Sequence, residues 1–191
     1  MINIFIITRL EFFVLATVII LFINFDILLK VIVGKHKISS DMLKKKFMKI
    51  IFSIYIALVI SIVYFPFPIA WGEYIKYKNP NIHIILWEST IGMYKKDGLY
   101  VVIENIGGNL LLLVPMIFFL CYYLKQVHFN IRRILLISLL VSLFIECSQV
   151  TLSVIIPNYA RTFDTMDLLC NSISGLIGYM IYIFYRQVVL R

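Results

Sequence analysis

Charge is scarce in this sequence. Only 15% of its 191 residues are Asp, Glu, Lys or Arg, against about 25% in an average soluble domain. So few charges cannot cover the surface of a water-soluble globule. Disorder is excluded as well, because it requires low hydrophobicity, and here 62% of residues are apolar with a mean hydropathy of +0.96. There are three cysteines, Cys121, Cys147 and Cys170. They are odd in number, show no CxxC spacing and sit in apolar stretches, which argues against a disulfide framework or a metal site and for small buried hydrophobes. The three histidines, His36, His83 and His128, are scattered outside the long apolar runs and form no metal-binding spacing. No cofactor is expected.

What is present is hydrocarbon in long runs. Five apolar segments are read as membrane spans, at about Leu10–Val33, Phe47–Phe65, Asn105–Leu124, Ile134–Ile156 and Asp164–Tyr185. Each is long enough to cross about 30 Å of hydrocarbon. The fold class is therefore all-α, a polytopic transmembrane helical bundle in the cell membrane. Arg9 and Glu11 interrupt the start of the first segment and no small-residue cleavage site follows it, so it reads as a retained span.

The basic excess, net +8, has a membrane explanation. Lys30, Lys35, Lys37, Lys44, Lys45, Lys46 and Lys49 lie at the end of span one or between spans one and two. Lys125, Arg132 and Arg133 lie between spans three and four, and Arg186 and Arg191 follow span five. These twelve fall on one side, and Arg9, Lys76, Lys78, Lys95, Lys96 and Arg161 on the other. The positive-inside rule then places the N-terminus outside and the C-terminus in the cytoplasm. No basic stripe interleaved with aromatics points to nucleic acid. The external stretch from Pro66 to about Val102 carries Trp71, Tyr74, Tyr77, Trp87, Tyr94 and Tyr100. Such amphipathic rings favour the headgroup level, so part of it is expected to lie on the membrane.

The informative residues are polar ones inside lipid, where an Asp at a helix centre costs upward of about 2.5 kcal/mol. Ser142, Glu146, Gln149 and Ser153 recur at spacings of 4, 3 and 4 and fall within roughly 60° of one another on a helix. Asp164, Asp167, Asn171, Gly175 and Gly178 occupy an arc of roughly 80°. Asn105 and Asn109 are one turn apart on span three, near Glu104 and Gly108. By depth the stripes converge in the outer half of the bilayer, with Arg161 in the short loop above them, able to act as a bidentate donor to a carboxylate. Gly175 and Gly178, with Ser174, allow close helix approach. Pro115 removes a backbone donor within span three and is expected to bend it.

This ordered set resembles the VanZ-like family, membrane proteins named for a teicoplanin-resistance factor. The family pattern is an Asn followed six residues later by Pro, then E-x-x-Q, then R-x-x-D-x-x-D-x-x-x-N with Gly following. The matching residues are Asn109 and Pro115, Glu146 and Gln149, and Arg161, Asp164, Asp167, Asn171 and Gly175. The match covers roughly residues 100 to 185. The family's aromatic-x-Pro-x-Gly at the proline is replaced by Val114-Pro115-Met116-Ile117. The resemblance implies a role in the bacterial cell envelope and reduced susceptibility to glycopeptides. The expected organisation is residues 1–98 as two N-terminal spans with their loops, and residues 99–191 as a VanZ-like core of three spans.

Asn105, Asn109, Glu146, Gln149, Arg161, Asp164, Asp167 and Asn171 are the candidate ligand-binding residues, with Pro115, Gly175 and Gly178 as packing residues. Three function classes stand open. One is a non-enzymatic envelope protein binding a lipid-linked or cell-wall-related ligand. Another is a membrane enzyme with Glu146 or Asp167 as general acid/base, although no nucleophile pair is evident. The third is a transporter component with a carboxylate relay, although no inverted repeat is visible. The expected partners are membrane lipids, the lipid-linked ligand and a second copy of the chain in a homo-oligomer. A competing explanation is a polar network that only fixes helix register.

Overall fold

The structure, a computed structural model, describes residues 3–25, 40–71, 79–124 and 127–189. It divides into two compact units, Asn3–Trp71 and Gly72–Arg191.

In the first unit, β1 (Asn3–Ile7) pairs antiparallel with β2 (Phe67–Trp71), in a register that sets Phe5 opposite Ile69. Between them lie α1 (Arg9–Ile23) and α2 (Ser40–Tyr64). Thr8 caps α1 with a complete capping box. Its hydroxyl accepts from the Glu11 amide, and the Glu11 carboxylate accepts from the Thr8 amide at 2.8 Å. The helix ends are tied together by Arg9 Nε donating to the Phe65 carbonyl at 2.8 Å and by Ser61 Oγ donating to the Arg9 carbonyl at 2.7 Å. Phe12 stacks on Phe65 at 4.3 Å between ring centroids. The strands were not foreseen. Pro66 and Pro68 mark the end of a helix, and the pairing of β2 with the chain's first residues depends on the α1–α2 hairpin bringing them together. The Phe65–Pro66 peptide is cis. Of the expected first span, 26–33 lies outside the described residues, as do Lys30, Lys35 and Lys37 of the basic loop.

The second unit opens with β3 (Ile82–His83) and α3 (Glu88–Asp97) and continues into α4 (Leu99–Leu112), α5 (Val114–Tyr123) and α6 (Ile131–Ile155). It closes with β4 (Phe163–Asp164) and α7 (Thr165–Val189). Helix α7 is the hub, packing against α4, α5 and α6. Its central place follows from composition: Ser174, Gly175 and Gly178 give it a face with almost no side-chain volume. A β-carbon on Gly175 would run into Ser138, and one on Gly178 into the backbone carbonyl of Val114. The apolar core at one end of this unit gathers Ile117, Cys121, Ile134 and Tyr182, with Phe118, Ile137 and Tyr179 packed around them.

Four helical stretches among the described residues are long and apolar enough to cross a membrane: Leu43–Tyr64, Leu99–Tyr123, Ile131–Ile155 and Thr165–Val188. They correspond to the second to fifth expected spans. The third starts six residues earlier than Asn105, because Gly98 at φ 86° ends α3 and lets α4 begin at Leu99. It is also broken at Leu113, just before Pro115, whose ring nitrogen has no proton to give the preceding turn. At the break the Leu113 amide donates to Ser174 Oγ on α7 at 2.8 Å. All three cysteines are free. Cys121 and Cys170 are buried, whereas Cys147 is exposed. The expectation of burial fails for Cys147 because the side of a spanning helix that faces away from its neighbours needs only an apolar side chain.

Candidate functional site: a buried carboxylate cluster between three helices

The turn from α6 to α7 builds the site. Ser153 Oγ donates to the Gln149 carbonyl at 2.9 Å and accepts from the Arg161 amide at 2.9 Å, so the loop returns close to the helix it has just left. Asp164 immediately precedes α7, and its Oδ1 accepts from the Met166 amide at 2.9 Å, as an N-cap carboxylate does. The Asp164 amide donates to Glu146 Oε2 at 3.0 Å. Asp167 lies in the first turn of α7, where the positive end of the helix dipole favours a carboxylate. Asn109 of α4 donates through Nδ2 to Asp167 Oδ1, and Asn105 bonds to the same side chain.

Three carboxylates are thereby brought within electrostatic reach of one another. Glu146 interacts with both Asp164 and Asp167, and Arg161 supplies the opposing charge to Glu146. Glu146 is 2% exposed and Asp164 4%. Asp167, Asn105, Asn109, Gln149 and Arg161 are partly buried. One turn deeper, Asn171 Nδ2 donates to Ser142 Oγ at 2.9 Å, both side chains being fully enclosed, and Asn171 Oδ1 has no partner among the described residues. Of the eight sequence-derived ligand-binding candidates, Asn105, Asn109, Glu146, Arg161, Asp164 and Asp167 form one interacting group. Asn171 extends it toward the middle of the bundle. Gln149 contributes its backbone carbonyl to the loop anchor.

Sequence reasoning missed the cover of this site. Strand β3 pairs parallel with β4, setting His83 opposite Asp164. Ser89 of α3 donates its hydroxyl to Asp164 Oδ2. Thr165 Oγ1 donates to the Ile84 carbonyl at 3.0 Å, and the Phe163 amide donates to the Asn81 carbonyl at 3.0 Å. Residues 81–89 therefore lie as a strap along the start of α7. A two-residue parallel pairing carries no periodicity, and Ser89 stands in no polar repeat, so nothing local marks them.

Long apolar helices around a buried polar cluster define a polytopic α-helical membrane protein. The VanZ/LLP1 family model matches residues 52–186, which is more than half of the chain and includes every residue of the cluster. The chain belongs to this family and is a VanZ-like membrane protein. The match starts in the middle of α2, well before residue 100. No curated protein and no solved structure matches the chain.

Proposed function

We propose that this protein lies in the bacterial cell membrane with its N-terminus outside and its C-terminus in the cytoplasm. There the carboxylate cluster binds the polar part of a lipid-linked or cell-wall-related ligand from the outer leaflet, without turning it over. Occupation of that site lowers susceptibility to glycopeptides such as teicoplanin. The observation that carries the reading is Glu146: a carboxylate 2% exposed, halfway along a spanning helix, with Asp164 and Asp167 beside it. A network serving only to hold helices together gains nothing from crowding like charges in an apolar span. Intramembrane carboxylates that persist against that cost mark sites that handle ligands or ions. Arg161 and the amides of Asn105 and Asn109 supply donors, and the carboxylates supply acceptors, which suits hydroxyl, amide and amine groups of a sugar or peptide. The distribution of Lys and Arg supports the orientation, with the cluster at the less basic end of the bundle.

The test is binding of a labelled lipid-linked cell-wall precursor to the purified, reconstituted protein, with growth inhibition by teicoplanin and vancomycin measured in parallel. Saturable binding without conversion, lost in Glu146→Ala and Asp167→Ala proteins that still insert and express, is the expected result. Conversion of the precursor replaces this reading with an enzymatic one. Ion-dependent flux in vesicles replaces it with transport. Full activity in both variants reduces the cluster to a structural network.

A further inference from the structure

The strap over the cluster carries a second feature that the proposed ligand site does not use. Between β3 and α3 runs Ile84-Ile85-Leu86-Trp87, four large apolar residues in succession. All four are exposed: Ile84 is 72% exposed, Ile85 71%, Leu86 48% and Trp87 50%. Ile91 and Tyr94 extend the same surface along α3, while Thr90 is turned inward and buried. Trp87 is held at φ 71°, a left-handed conformation that costs a bulky residue about 1–2 kcal/mol, so the turn is fixed rather than loose.

The depth of this surface is set by its attachments. The Ile84 carbonyl is bonded to Thr165, the first residue of a stretch long and apolar enough to span. Helix α3 runs through Gly98 into Leu99, where another such stretch starts. Both ends of the segment are therefore pinned at the point where spanning helices leave the hydrocarbon. Lys95 and Lys96 in the last turn of α3 are exposed and basic. An apolar tetrad containing a tryptophan, at that level and with ammonium groups nearby, matches the chemistry of a lipid headgroup region.

We infer that Ile84–Trp87 is a membrane-surface wedge, inserted in the lipid leaflet at this end of the bundle, and that this insertion anchors residues 81–89 over the carboxylate cluster. The occupant of the apolar surface is the bilayer itself. The inference does not depend on which ligand the cluster takes.

The chain provides its own probe, because it has two tryptophans, Trp71 and Trp87. In a Trp71→Phe protein reconstituted in phosphatidylcholine vesicles, Trp87 is the sole emitter. Its emission should be blue-shifted, and quenched several-fold more by lipids brominated near the headgroup than by aqueous iodide. Water-like emission quenched by iodide overturns the wedge. So does emission that neither quencher reaches, which would mean that protein covers the tetrad. Should Trp71→Phe fail to fold, Ile85→Cys on a Cys147→Ser background, labelled with an environment-sensitive dye, gives the same reading. The anchoring half is read by hydrogen exchange at the Phe163 amide, which the strap protects through Asn81. Ile84→Asp with Ile85→Asp should speed that exchange several-fold in vesicles, and unchanged protection overturns it.

Discussion

The backbone amide of Asp164 donates to the carboxylate of Glu146, eighteen residues earlier, at 3.0 Å. The relationship ties the start of α7 to the middle of α6, and a backbone group, not a counter-ion, makes the link. Removing the acceptor leaves a buried amide unpaired, at a cost of about 1–3 kcal/mol. Glu146→Leu should lower thermal stability in detergent by that amount. Glu146→Gln keeps an acceptor oxygen at the same place and should lose less than half as much. The pair separates two roles: if ligand binding fails in Glu146→Gln while stability holds, the site needs the charge or its proton.

The glycines of α7 make a different kind of prediction, because what each would strike differs. A β-carbon at Gly178 meets the main-chain carbonyl of Val114, which can move only with the whole of α5, whereas one at Gly175 meets the side chain of Ser138. Gly178→Ala should therefore destabilise by about 1–3 kcal/mol, the usual range for overpacking. No side-chain substitution on α5 should rescue it. Gly175→Ala should destabilise comparably, and Ser138→Gly in the same chain should restore part of the loss. Thermal unfolding of the single and double variants decides it, and equal rescue at both positions would contradict the packing described.

Much of this arrangement was legible beforehand, and the limits are physical. The helices were readable because lipid demands long apolar runs, and the polar stripe on each was readable because a helix repeats every 3.6 residues. The spacing of Glu146, Asp164, Asp167, Asn105 and Asn109 alone thus sets them on facing sides of their helices. The strap could not, because Asn81, Ile84 and Ser89 meet β4 and the first residue of α7 through one backbone bond and two hydroxyls, at separations of about eighty residues that no local repeat encodes. The partner of Ser174 was equally hidden. Pro115 announces a bend, but not which neighbour accepts from the Leu113 amide at the break.

That amide gives a third prediction. Ser174 Oγ is the acceptor for Leu113 N at the break between α4 and α5, and it is fully buried. Ser174→Ala should destabilise by about 0.6 kcal/mol and by no more than about 1.7 kcal/mol, the average and the maximum for interhelical hydrogen bonds in a membrane protein. Ser174→Thr keeps the hydroxyl but adds a methyl group to the small-residue face, so it should not recover the full stability. A Ser174→Ala protein with wild-type unfolding would mean that the bond from the Leu113 amide to Ser174 adds nothing to stability.

Arg161 offers the sharpest separation of charge from shape. Its backbone is fixed by Ser153, while its guanidinium acts electrostatically on Glu146. Arg161→Lys preserves the charge but loses the planar fork that can hold two oxygens at once. If Arg161 only balances Glu146, the lysine variant should bind ligand as wild type does. If it grips a carboxylate or phosphate of the ligand, binding should weaken by at least about tenfold, or 1.4 kcal/mol, with little change in unfolding temperature. A double-mutant cycle with Glu146→Gln distinguishes the two. Neutralising Glu146 removes the need for a counter-charge, so a purely balancing arginine becomes replaceable by alanine in that background, whereas a ligand-gripping arginine does not. The proposed binding site predicts the second pattern, and recovery of binding in the Glu146→Gln, Arg161→Ala double variant would remove Arg161 from it.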